Sequence, residues 1–217
     1  MKFQYDQTCT CGGHLIFTTT GDSRFPSAEC VSCGSSGHLI DPLSPSVVAD
    51  RLIHRSKAEL EGGDYSQAIL LAAIAVETFL TQIFLKLKGM EHFAEGFTWP
   101  DEEQEAKWEQ EYPRSGGFIG PANFVAERLV QSSFDEFITA NQAAKSIFAA
   151  LSNPGQLPLS TLCQTELFRK RNRIAHWGYV NSAKDEAERC FDIALAVIGV
   201  LKEMDRVRYA DDAPSSL

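Results

Sequence analysis

A chain of 217 residues has room for one ordinary domain, or for a domain of about 150 residues with a small appendage. Its 44% hydrophobic and 23% charged residues match average soluble usage, which excludes disordered, collagen-like and coiled-coil classes. Twenty basic against 29 acidic residues give a net charge of −9, which opposes loose electrostatic coating of nucleic acid.

The first segment, Met1 to Thr8, has no apolar core of a secretory signal, so the expected compartment is the cytoplasm, where structural disulfides are disfavoured. The longest uninterrupted apolar run, Ala68 to Val76, is nine residues, too short by itself to span a bilayer, and no membrane partner is expected. Four of the six cysteines fall early, as Cys9-Thr10-Cys11-Gly12 and Cys30-Val31-Ser32-Cys33-Gly34, with 18 residues between the pairs. Leu15 to Thr20 is rich in β-formers and Gly21-Asp22 signals a turn, so a small β hairpin module is expected here.

Two close thiol pairs supply four soft ligands for a tetrahedral Zn²⁺, and a glycine after each pair permits the sharp turn of a metal knuckle. The metal set is therefore Cys9, Cys11, Cys30 and Cys33, with His14 and His38 as substitutes. Unrelated reduced thiols and redox work are the alternatives. Four sulfur ligands leave the metal no open position, so the zinc is expected to be structural. The module resembles a zinc ribbon.

Asp41 to Ser46 reads as a linker, giving a ribbon over 1–42, a helical bundle over 43–208 and a flexible tail over 209–217. The fold class is mainly α. Helices are expected over Pro45 to Glu61, stopped by Gly62-Gly63, and from Asp64 to about Lys88 before Gly89. The second is apolar almost all round, which places it mid-bundle or at a subunit interface, and makes Glu77 within it conspicuous. Gly89 to Gly120 is an irregular aromatic stretch whose Asp101 to Glu111 segment holds six carboxylates against one lysine, read as a solvated acidic face. Helices follow over Pro121 to Gln131, Phe134 to Leu151 and Leu159 to about Ala175, and a last one begins at Ser182 with Asp185 completing a capping box. Cys163 and Cys190, in apolar surroundings, read as core thiols.

One basic patch opposes the acidic whole: Arg169, Lys170, Arg171 and Arg173, leading into His176, Trp177, Gly178 and Tyr179. These residues also suit the last turn of a helix, where cations complement the dipole. The run Arg171-Asn172-Arg173-Ile174-Ala175-His176 matches the R-x4-6-H signature of the HEPN superfamily, all-helical domains that are often metal-independent ribonucleases. The flanks are similar as well, with a long apolar helix carrying an acidic residue before the motif and a long helix after it. The resemblance covers roughly residues 47 to 207.

It implies a homodimer that brings two motifs into one cleft, RNA as substrate, catalytic Arg171, Asn172 and His176, and a toxin or anti-phage defence role with an antitoxin or defence partner protein. Glu77, Arg169, Lys170, Arg173, Trp177 and Tyr179 are supporting candidates: Glu77 as a buried partner for Arg171 or a polar residue at the bundle edge, Trp177 as a base platform or simple packing. A toxin branch has a modified tyrosine two residues after the histidine. Tyr179 stands three after, so that modification is not carried over.

The chemistry follows from residue types. Metal-free RNA cleavage needs a base for the 2′-hydroxyl proton, an acid for the leaving 5′-oxygen and positive charge at the phosphate, which histidine and arginine supply. On a straight helix Asn172 and His176 share a face while Arg171 lies about 140° from His176, so a helix end or bend is expected within the motif. The rival reading is a non-catalytic HEPN-like module binding nucleotide, nucleic acid or protein. A zinc-dependent enzyme ranks third.

Overall fold

The computed structural model describes residues 3–8, 14–19, 27–30, 32–34, 36–38, 45–95, 102–113, 117–151, 157–178 and 181–211. The chain divides into two compact units, Met1–Val47 and Val48–Leu217, so the division falls just past the expected boundary at 42.

In the first unit β1 (Phe3–Thr8) pairs antiparallel with β2 (His14–Thr19), Phe3 opposite Thr19 and Thr8 opposite His14. β3 (Ser27–Glu29) pairs antiparallel with β4 (Ser36–His38). The β-rich stretch is thus hydrogen-bonded upstream, to β1.

The second unit is a helical bundle, in agreement with the mainly α expectation. α1 (Pro45–Gly62) stops at Gly63, whose φ of +85° is a left-handed conformation that glycine adopts at no steric cost. Asp64 then caps α2 (Tyr65–Glu95), its carboxylate accepting the Gln67 N–H at 3.0 Å. Gly89 does not end this helix, which runs on to Glu95; a Cβ at Gly89 would meet open space, so nothing there forces a stop.

α2 is central: Ile69, Ala72, Val76, Leu80, Ile83 and Phe84 are all buried, and it packs on α9 (Lys184–Asp211), α8 (Arg169–Trp177) and α4 (Ile119–Val130). Over Tyr65–Gly89 it is long and apolar enough to span a bilayer by length and composition, which the count of uninterrupted apolar residues does not register. Within the bundle 61% of that window is buried, so the core accounts for the composition. The acidic helix α3 (Glu102–Glu111) turns exposed positions outward but is anchored by buried Trp108, and its Glu111 pairs with Lys88 of α2 at 2.7 Å.

Three local expectations are corrected. The single helix over Phe134 to Leu151 is two, α5 (Phe134–Ala140) and α6 (Gln142–Ala149), because extended Asn141 ends one and begins the other: its N–H reaches Phe137 O at 2.8 Å and its side chain accepts from Ala144 N–H at 2.9 Å. The Ser182 capping box is displaced: α9 starts at Lys184, Glu186 accepts the Ala183 N–H at 3.3 Å, and the Ser182 hydroxyl accepts from Ser66 of α2. The helix expected over Leu159 to Ala175 is interrupted: α7 (Leu159–Leu162) passes into a π-helical turn, Cys163–Phe168, before α8. At the far end α9 continues through Asp211, so positions 209–211 are helical and not a flexible tail.

Candidate functional site

α8 carries the R-x4-6-H residues, and its geometry departs from expectation in one respect. The helix is regular from Arg169 through Trp177 and ends only at Gly178, with φ +62° and its N–H on Ile174 O at 3.1 Å. The distortion in this segment lies before the motif, where the π turn closes with the Arg169 N–H on Gln164 O. With about 100° per residue, Arg171 and His176 therefore stand about 140° apart, and Asn172 shares a face with His176. Within one protomer the two faces of α8 do different things.

The Arg171 face looks into the bundle. Its guanidinium donates to Glu77 Oε2 of α2 at 2.9 Å and to Asn172 Oδ1 at 2.9 Å. The acid in the middle of the apolar helix and the central arginine of the motif thus meet. The pair is half-buried, with 27% of the Arg171 and 39% of the Glu77 side chain open to water. The other face is exposed: Asn172, His176 and Trp177 all reach solvent, the indole with 85% of its surface free.

Much of the basic patch is already neutralised. Lys170 is bound to Glu186 of α9 at 2.7 Å, and that contact lowers the Glu186 carboxyl below its ordinary range. Arg171 is paired with Glu77; Arg169 and Arg173 are exposed, and the charge of Arg173 also acts on Glu186. Tyr179 lies outside the described residues.

A cavity of about 440 Å³ opens beside the ion pair, between α2, residues 112–113 and 117–121, the π turn and the start of α8. Sequence reasoning missed its lining residues Thr81, Tyr112, Phe118, Gln164 and Phe168, because they come from four separate stretches of chain. Gln164 ties two of those stretches, its Oε1 accepting the Phe118 N–H at 2.6 Å. Gly117, at φ +62°, leaves that amide its room, since a Cβ there would sit 2.3 Å from Gln164 Oε1. The glycine beside an aromatic at Gly117-Phe118 was the one available signal of a close approach.

Burial raises the Glu77 carboxyl above its ordinary value, and the charge and hydrogen bond of Arg171 oppose the rise. A raised carboxyl means that the folded chain binds more protons, so this group's contribution to stability falls as pH rises from about 4.5. Arg171→Ala removes both opposing effects and steepens the fall. The variant is therefore expected to lose more stability relative to wild type at pH 7.5 than at pH 4.5, by a modest amount because Glu77 is partly solvated. Urea unfolding at both pH values checks this; a gap that narrows on going to pH 7.5 contradicts it. Burial likewise pushes the Tyr112 phenol up, against a hydrogen bond with Thr81.

In the first unit Cys30 is buried and Cys33 exposed on a turn closed by the Gly34 N–H on Cys30 O at 2.9 Å, with Gly34 at φ +70°. A turn of this kind fits half of a thiolate site. Cys9 and Cys11 lie outside the described residues, and among the described residues no group of three or more potential ligands forms. Cys163 and Cys190 are buried core thiols; burial drives the first well above its ordinary value and the second up to about 12, so neither is a ready nucleophile.

Compared with models of protein families, with curated proteins and with solved structures, the chain matches none.

Proposed function

We propose that this protein is a metal-independent endoribonuclease with a composite Arg/His site at a homodimer interface. The observation that carries the reading is the division of α8: Glu77 pins Arg171 on one face at 2.9 Å, while His176 and Trp177 are exposed to solvent on another, with Asn172, held by Arg171 through its Oδ1, exposed beside them. A histidine open to solvent beside a polar amide and an aromatic plane suits a flexible single strand of RNA. His176 takes the 2′-hydroxyl proton; O2′ attacks phosphorus and the P–O5′ bond breaks. The partner subunit's Arg171 supplies positive charge at the phosphate, and O5′ takes its proton from water, leaving a 2′,3′-cyclic phosphate. Asn172, one helical turn before His176, orients the imidazole or holds the ribose, and exposed Arg169 and Arg173 guide the backbone.

Cys9, Cys11, Cys30 and Cys33 would hold a structural Zn²⁺, the Cys30–Gly34 turn providing one knuckle; the metal fixes the small β unit and takes no part in the chemistry. The HEPN resemblance extends the reading to a cytoplasmic toxin or defence effector held silent by a partner protein.

The test incubates the full chain and His176→Ala with mixed RNAs in excess EDTA and maps the ends. Wild type is expected to cut and leave 2′,3′-cyclic or 3′-phosphates, and the variant to lose at least about 10²-fold in rate with its helical content intact. Equal cutting by both, or none by either, rejects the reading. One observation favours the second reading, a non-catalytic binding module: the cavity beside Arg171 is large enough for a small ligand.

A further inference from the structure

The cavity of about 440 Å³ lies within the range of small-molecule sites, and its contents narrow what it can take. Glu77 and Arg171 cancel one another in charge, so the space offers no surplus for a phosphate. Its apolar lining includes Leu80, Phe118 and Phe168, side chains that can pack against the edge or face of a heterocycle.

The decisive group is the Glu77 carboxylate. Arg171 holds it by Oε2, and Oε1 accepts no hydrogen bond among the described residues. An ionised carboxylate is acceptor-only and is best satisfied by two donors side by side. Of the four RNA bases only guanine presents such a pair, N1–H next to the N2 amine. Adenine and cytosine each offer one exocyclic amine beside a ring-nitrogen acceptor, and uracil flanks N3–H with carbonyls that a carboxylate repels. Asn172 forms part of the cavity wall and lies one turn before His176 on the same face of α8, so a base seated inside leaves its sugar and phosphate on the His176 side.

We propose that this cavity is a guanine pocket in which Glu77 reads N1–H and N2–H of an unstacked base. The choice of an RNA base as natural occupant rests on the ribonuclease reading; the selectivity itself does not. The full chain is titrated with GMP, AMP, CMP, UMP and IMP, followed by calorimetry or ligand-detected NMR. GMP is expected to bind about tenfold tighter than AMP, CMP or UMP. IMP keeps N1–H but lacks the N2 amine, and is expected to bind about tenfold weaker than GMP, a comparison that needs no mutation. Glu77→Gln swaps one acceptor for a donor and is expected to bring GMP and AMP within about twofold.

Equal binding of GMP and AMP, of GMP and IMP, or no binding of any mononucleotide at millimolar concentration overturns the pocket. Mapping cleavage in the same preparations separates the two ideas. Cutting of RNA with no guanine preference in either assay removes the pocket and leaves the ribonuclease. Selective binding of GMP without cutting keeps the pocket and removes the ribonuclease.

Discussion

Two dead variants, Arg171→Ala and His176→Ala, are expected to regain about a quarter of wild-type RNA cleavage when their subunits are mixed and allowed to exchange. Along α8 the two side chains diverge by about 140°, and Arg171 is turned inward to Glu77, so one chain does not present both to the same phosphate. In the proposed ribonuclease a working site therefore takes Arg171 from one protomer and His176 from the other. Random exchange makes about half of the dimers mixed, and each mixed dimer has one intact pairing and one doubly defective pairing. The reverse arrangement checks the logic. When wild type is mixed with an equal amount of the Arg171→Ala/His176→Ala double variant, every mixed dimer has one defect in each site, so activity per wild-type chain falls to about half. Initial rates after subunit exchange measure both quantities. No recovery in the first mixture places the two groups in cis or dismisses the dimer.

What could be read from the sequence was local or electrostatic. Asp64 and Gly63 carry their own chemistry, a side-chain acceptor and freedom at positive φ, and both act where a linear reading puts them. The meeting of Glu77 and Arg171 was legible for a different reason: an acid in the middle of an apolar helix needs a cation, and the chain has one basic run. The π turn was not legible, because Cys163 to Phe168 is composed of residues that an α-helix accepts without complaint. The turn belongs instead to a tertiary setting that no window of sequence contains, in which Gln164 bonds the Phe118 backbone and Glu166 meets Arg189 of α9 at 3.0 Å. Asn141 was missed because an asparagine amid helix formers signals a break only when its side chain turns back to cap, as it does on Ala144.

The same dependence on distant segments explains the site. The motif residues could be named, but which face each occupies required knowing that α8 stays regular through His176. The cavity could not be named at all, since Gly117, Gln164 and Thr81 become neighbours only when α2 and the π turn come together. The four cysteines show the opposite limit: their spacing states a chemistry, and the Cys30 to Gly34 turn is compatible with it.

Phe118→Ala is expected to lower the free energy of unfolding by about 3 kcal/mol, towards the low end of what removing a buried phenylalanine costs. The ring is 2% exposed, meets Phe134 edge-on at 5.7 Å and 90°, and stacks on Phe168. Its removal therefore takes contacts from α5 and from the π turn at once. The vacated space joins the existing cavity beside Arg171, so water can enter and the loss is smaller than for an enclosed void. Phe134 is fully buried and does not line that cavity, and Phe134→Ala is expected to cost more, about 4 to 5 kcal/mol. Urea midpoints at unchanged slope read both. The ordering matters more than either value: if Phe118→Ala costs as much as Phe134→Ala, the space beside Arg171 is sealed from water, and a base has no way in.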